Sequence, residues 1–324
     1  MADNPRTYKD YTVGWICHSM IDFTEAIAML DDRHPQLPNP RNNSYHLGSI
    51  GKHNIVIVCL FFDRLTPNNI GTIPTEIVVA QVAKTFPSIR FNLMVGTGSG
   101  IPPEVRLGDV VVGSPVGPTP GVIQWDLETK EKGNKFIQTS HLDRPPDLLR
   151  NAITAVRAEH ALGRSRIQEY LDEMKANRPH SQPEYFKSDW LQDVLFEASY
   201  DHQMPEGEYE DEDEPCRYCD KAQVIQREPR SMLVHYGLIA SSKRVVETAA
   251  FRDQLIEDVG EEVLCIETGA AEMVGEFNGL IIRGICDYAD SHKNETWQLY
   301  AAALAAAYAK ELLRNIAPRE TVTE

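Results

Sequence analysis

The chain has 324 residues, 42% of them hydrophobic, which is enough to bury a sizeable core in one large α/β domain or two small ones. Its 48 acidic residues outweigh 32 basic ones for a formal charge of −16, a balance that argues against a nucleic-acid partner and leaves anionic small molecules open if backbone amides or local cations hold them. Residues 1–8 are polar and no apolar run is long enough to span a bilayer, so a cytoplasmic protein with no membrane partner is expected.

In chain order, residues 11–16 read as a short strand, followed by a turn at 17–20 and a helix over 22–30 with apolar residues at helical spacing. Residues 45–50 and 54–60 flank the turn signal Gly51-Lys52-His53 and predict a hairpin. A helix over 73–85 precedes a buried strand over 90–95, which runs into the glycine loop Gly96-Thr97-Gly98-Ser99-Gly100; a strand over 109–112 and a helix over 145–160 follow. Residues 161–230 are polar, carry the acidic run 206–214 and interrupt the alternation, so they read as an irregular insertion. Alternation resumes with a strand over 234–240, a helix over 246–258, strands over 263–267 and 280–285, and an Ala-rich helix over 296–314. The organisation predicted is a single domain over 11–315 with tails at 1–10 and 316–324.

Asp287 is the first candidate for chemistry. It stands where the apolar run Leu280, Ile281, Ile282, Ile285 stops, and in open α/β sheets ligands sit beyond the carboxyl ends of the strands; the plainer alternative is that it caps the next helix. The glycine loop can present backbone N–H groups and the hydroxyls of Thr97 and Ser99 to an anion or a sugar, or can be a tight turn; it is neither a dinucleotide fingerprint nor a Walker loop. Glu267 stands at a third strand end, with Glu272 in the segment that follows. Of the six cysteines, four lie in apolar strand-like runs and read as reduced core thiols. The remaining pair, Cys216 and Cys219, forms a CxxC knuckle with His202 upstream, one ligand short of a closed tetrahedral zinc site; Asp220 or His235 is a candidate for the fourth, and free thiols are the alternative.

Several stretches together resemble one family: YTVGWIC at Tyr11, MVGTGSGIP from Met94, RLGDVVVG from Arg106, HYGLIAS from His235, RGICDYADSHKN from Arg283 and WQLYAAA from Trp297. They are similar to the nucleoside phosphorylase and nucleosidase superfamily, and within it to the fungal branch found at the N-terminus of NACHT/ankyrin-type receptor-like proteins. The resemblance spans residues 11–313. It implies a three-layer α/β/α sandwich with a central mixed sheet, which hydrolyses the N-glycosidic bond of a purine nucleoside or adenine nucleotide without a catalytic cofactor and self-associates.

By the same resemblance Asp287 is the general acid that protonates the purine N7. Asp22 positions water, Val245 and Val246 line the base, Gly96, Thr97, Gly98 and Ser99 face the substrate, and Glu267 with Thr268 sits at the ribose. The chain departs from the family where Glu-Met-Glu becomes Glu267-Thr268-Gly269, so the second ribose-gripping glutamate is missing, a loss of roughly 1.5–3 kcal/mol of binding unless Glu267 or Glu272 substitutes. Ser242-Lys243 replaces the family's Gly followed by Asn or Asp, and the acid of the first turn is shortened to Asp22. Because Met94 and Val95 precede the glycine loop with no adjoining Arg, water is favoured over phosphate as nucleophile. Two other readings stay open: a catalytically weakened nucleoside-binding signalling module, which Gly269 favours, and a phosphorylase. A substrate carrying 5′-phosphates would draw on Lys243, His292 and Lys293, which otherwise form a solvated rim.

Overall fold

The computed structural model describes residues 6–38, 45–60, 75–130, 133–177, 191–205, 207, 215–260, 262–270, 273 and 277–318. Among the described residues eleven strands form one mixed sheet: β1 (Val13–Cys17), β2 (Asp32–Arg33), β3 (His46–Ile50), β4 (His53–Cys59), β5 (Phe91–Gly100), β6 (Val110–Gly113), β7 (Val122–Lys130), β8 (Gly133–His141), β9 (Val234–Ser241), β10 (Val263–Glu267) and β11 (Gly279–Asp287). Their spatial order is β2-β3-β4-β1-β5-β11-β6-β9-β7-β8, with β10 bridging β5 and β9. The helices are α1 (Met20–Ala28), α2 (Thr75–Thr85), α3 (Asp147–Ala161), α4 (Ile167–Ala176), α5 (Ala249–Val259) and α6 (Gln298–Arg314).

The centre of the sheet, β4-β1-β5-β11, is parallel. Its strands are apolar without alternation because both faces are covered: Val13, Trp15, Leu93 and Ile282 pack into one core with α1, α3, α4 and α6, whereas Ile16, Met94 and Ile281 pack into the other with Val82 and Phe86 around the end of α2. Strands β7, β9 and β10 pack with α5 in a third cluster around Trp125 and Leu255. The layers are thus helix, mixed sheet, helix. The alanines of α6 let it lie directly on β11, where a Cβ on Gly284 would fall on the Ala301 carbonyl. Among the described residues no helix is long and apolar enough to cross a membrane.

The hairpin expected at 45–60 is β3 and β4, closed by Gly51 and Lys52 with Gly51 at φ 57°. Several elements differ from the sequence reading. The glycine stretch is not a loop: β5 continues to Gly100, paired in parallel with β11 from Asn92 to Ser99 and antiparallel with β10 at Ser99 and Gly100. None of these glycines has positive φ; their missing side chains serve close packing, with Gly98 against the Cys265 sulfur and Gly100 against Ile285 and Val105. The sequence reading does not contain the hairpin β7–β8, because β8 is an edge strand in which, among the described side chains, Phe136 alone is deeply buried and no apolar run marks it. Finally, the segment read as irregular from 161 opens with α4, whose Ile167, Tyr170, Leu171 and Met174 belong to the main core. The acidic run 206–214 lies outside the described residues apart from Gly207.

Candidate functional site

The C-terminal ends of β5, β10 and β11 meet at Ser99, which is in register with Asp287 on one side and Ile266 on the other. The β11 register shifts between Ile285 and Asp287, and such a bulge re-aims the side chains that follow it. Asp287 is half-buried; its Oδ1 accepts from the Ala289 amide at 2.8 Å, and the Cys286 thiol donates to Oδ2 at 3.5 Å. Ala289 is held at φ 51°, a left-handed conformation that costs a non-glycine residue energy and recurs at functional turns.

One residue that the sequence reading left without a role organises the interior of this rim. Arg283, a lone cation in the apolar run of β11, is 1% exposed, and its Nη2 donates to Glu267 Oε2 at 2.5 Å. Glu267, equally buried, accepts in addition from the amides of Gly269 at 2.8 Å and Ala270 at 3.1 Å. A buried carboxylate is tolerable only when so satisfied. Gly96 faces Arg283 in register, and a Cβ there would lie 2.8 Å from Arg283 Nη1 and 2.7 Å from Asp22 Oδ2, so the missing side chain is what lets arginine and aspartate approach. The expectation that no Arg adjoins the glycine stretch is therefore corrected: the cation comes from the neighbouring strand, a pairing that local sequence does not display. Its signal was the charge itself, since an Arg inside LIIRGIC needs a buried partner.

Asp22 sits at the third position of α1 in a capping box with Ser19, which is the actual cap: Ser19 N donates to Asp22 Oδ2 at 3.0 Å and Asp22 N to Ser19 Oγ at 3.1 Å. Its Oδ1 is buried and has no hydrogen-bond partner, and the same is true of Arg283 Nε. Burial raises the Asp22 carboxyl above its usual range, against the lowering effect of Arg283; burial likewise lowers His18, reinforced by Arg283 and opposed by Glu267 and Asp22. A group whose folded value lies above its unfolded one adds stability fully below the unfolded value and loses that contribution as pH rises through the raised one. Asp22→Asn keeps an acceptor for the Ser19 amide and removes this titration. Its melting temperature should therefore exceed the wild type's near about pH 7, with the difference shrinking as the pH falls toward about 4. Thermal melts across that interval check it, and a variant less stable by the same margin at every pH overturns it.

The other predicted residues are dispersed. Thr97, Ser99 and Thr268 are half-buried at the rim, whereas Gly96 and Gly98 are buried, and pairing with β11 and β10 engages the β5 backbone that was expected to offer free amides. Val246 is buried in the cluster of Trp125 and Leu255, whereas Val245 is 55% exposed. Lys243 and Lys293 are exposed, but His292 is no rim cation: it is buried, stacked 4.0 Å from Phe196, and pushed down to about 4 by burial and by His202. Glu272 lies outside the described residues. Cys216, Cys219 and His202 come together within the insertion.

No family model matches the sequence. The chain is 40% identical over 322 residues to a nucleotide-binding leucine-rich repeat (NLR)-like protein of Hyaloscypha variabilis, a match that covers 96% of the chain and 30% of that protein. The chain thus spans about 30% of the length of the curated relative it matches. Among solved structures it is similar to the futalosine hydrolase of Helicobacter pylori, with a TM-score of 0.53 and 13% identity over 96% of this chain and 100% of that one. It is also similar to the 5′-methylthioadenosine/S-adenosylhomocysteine nucleosidase of Neisseria meningitidis in complex with methylthio-immucillin-A, with a TM-score of 0.53 and 14% identity over 94% and 99%. The layered architecture and these likenesses agree with the resemblance carried by the motifs: the chain has the nucleoside phosphorylase and nucleosidase fold.

Proposed function

We propose that the chain hydrolyses the N-glycosidic bond of a purine nucleoside or adenine nucleotide and releases the free base. The observation that carries this reading is the buried Asp22–Arg283–Glu267 cluster beneath the strand ends where Asp287 and Ser99 lie side by side. As the C1′–N9 bond breaks, its electron pair moves into the purine and Asp287 delivers a proton to N7, while the ribose takes on oxocarbenium character. Water adds to C1′. Asp22, with an unpartnered Oδ1 and a carboxyl raised by burial, orients that water and receives its proton; Arg283 holds Asp22 by charge and offers its unpartnered Nε. Glu267, occupied by Arg283 and two backbone amides, serves here as a positioning residue for the arginine, which leaves the ribose to Thr268 and the rim of β5. That is a change from the role the resemblance implies for it.

Two carboxylates beside one buried guanidinium disfavour a phosphate dianion as nucleophile, which supports hydrolysis over phosphorolysis. A binding module without turnover is the second reading. A Cβ at Gly269 would lie 3.0 Å from Arg283 Nη2, 3.2 Å from Glu267 Oε2 and 2.6 Å from Met94 Cε, so the ion pair fills the space beside the position of the family's second glutamate. Incubation with adenosine, inosine, AMP and ATP, with and without phosphate, tests the proposal by chromatography of the base. Free base without phosphate is the expected result. Base formed only with phosphate overturns hydrolysis in favour of phosphorolysis, and saturable binding with no base released leaves the binding module. Self-association and a cytoplasmic location belong to the same proposal; sedimentation of the purified chain reads the first.

A further inference from the structure

Among the described residues of the insertion between α4 and β9, one small apolar cluster is buried apart from the main core. Phe196, Cys216 and Cys219 form it, with Val194, Tyr200 and Val224 packed around them. A cluster of that size adds little stability by itself, and small units poor in buried apolar area are commonly fastened by a cross-link or a metal. The same segment brings three soft or borderline donors together. His202 Nδ1 lies 3.6 Å from Cys216 Sγ and 3.4 Å from Cys219 Sγ, and all three ligand atoms fall within 4.8 Å of one another. With zinc–sulfur bonds of about 2.3 Å and zinc–nitrogen bonds of about 2.0–2.1 Å, the nitrogen–sulfur edges of a tetrahedron come to roughly 3.5–3.6 Å, close to both His202–sulfur separations.

Backbone geometry points the same way. Cys216 is held at φ 60°, left-handed for a residue with a β-carbon, which turns the chain so that Cys219 N donates to the Cys216 carbonyl at 3.1 Å and both sulfurs face His202. The Gln203 backbone amide donates to the Cys219 sulfur at 3.4 Å. We infer that Cys216, Cys219 and His202 bind a zinc ion that fastens the insertion to the turn following Asp287. Neither expected fourth ligand serves: His235 is bonded to Asp109 at 2.8 Å, and Asp220 caps the turn at Lys221–Gln223 by accepting from Ala222 N. The described residues thus supply three ligands, and the fourth coordination position goes to a further donor such as water.

What the metal fastens follows from the contacts of its ligands. His202 N donates to Ser291 Oγ at 3.0 Å, its ring meets that of His292 edge-on at 5.6 Å, and His292 stacks in turn on Phe196 and Tyr200. Residues 288–292 continue directly from the candidate acid, so the ion would brace the backbone that sets the direction of Asp287.

The full chain, expressed in zinc-supplemented medium and freed of loose metal, should retain about one zinc per molecule, lost in the Cys216→Ser/Cys219→Ser double variant and strongly depleted in His202→Ala. Cobalt exchanged into the wild type should give a thiolate charge-transfer band and tetrahedral d–d bands, a readout that needs no variant to fold and no catalytic activity. Chelator should lower the melting temperature of the wild type but not of the double variant. A wild type that purifies without metal, takes up no cobalt and shows every cysteine titrating as a free thiol overturns the inference, as does a cobalt spectrum that survives in the double variant. Because none of these measurements reads base release, failure here and failure of the hydrolase proposal are separable.

Discussion

Arg283→Met should destabilise the folded chain by roughly 3–5 kcal/mol, read as a shift in the urea unfolding midpoint with unchanged slope. Methionine nearly matches the apolar stem, so packing against β5 changes little and the loss is chiefly electrostatic. It leaves the Glu267 carboxylate buried with the Gly269 and Ala270 amides but without a countercharge. Truncating one partner of a buried pair costs more than the pair itself contributes, because the surviving charge keeps its desolvation penalty. Adding Glu267→Gln in the same chain should therefore recover a large share of the loss, since an amide can still accept from Gly269 N at far lower desolvation cost. A single variant within about 1 kcal/mol of the wild type would show that water reaches the pair, as would a double variant no more stable than the single one. Should the single variant fail to accumulate, the double variant against Glu267→Gln alone still measures the cost of losing the guanidinium without a buried carboxylate beside it, which should lie well below about 3–5 kcal/mol.

How far the fold could be read from the chain depends on which signal each element carries. Strand β10 is found at its full extent, and β1, β9 and β11 within two or three residues, because a strand covered on both faces must be apolar throughout and its ends are marked by the first polar residue. The β3–β4 hairpin is legible from one glycine at a two-residue turn. Gly96, Gly98 and Gly100 carry an ambiguous signal: a missing side chain permits a turn or permits another atom to approach, and only the three-dimensional neighbours, Asp22, Cys265 and Val105, decide for the second. Strand β8 fails the apolar test because an edge needs little burial, and α4 was lost in a polar region although its stripe of Ile167, Tyr170, Leu171 and Met174 has helical spacing.

The candidate site divides along the same line. Asp287 and Glu267 could be located as strand ends, since position along a strand is a local property. The pairing of Arg283 with Glu267 across 16 positions, and the approach of Asp22 from α1, are properties of strand order, and strand order is not written in any one segment. Arg283 is the first letter of the RGICDYADSHKN motif, but it reaches the glycine stretch from β11, so no cation beside Gly96 is visible along β5 itself.

Asp287→Asn should lower the rate of purine release by ~10²–10⁴-fold with little change in KM, while the folded chain melts where the wild type does. Asparagine keeps the acceptor that receives the Ala289 amide, so the turn at 287–289 and its left-handed Ala289 survive; what disappears is the proton delivered to the leaving base. That distinction gives the variant a diagnostic substrate dependence. A purine leaves as a poor anion unless N7 is protonated, whereas a nitrophenyl riboside expels a stable phenolate without help, so the variant should lose most of its activity on the first and little on the second. Equal losses on both would mean that Asp287 acts through the ribose or the local backbone, and retention of wild-type rates on adenosine would remove the acid from the mechanism. The comparison also separates the acid from the rest of the site: in the proposed mechanism Asp22 handles the water and Arg283 holds Asp22, a step common to both substrates, so Asp22→Asn should slow the two alike.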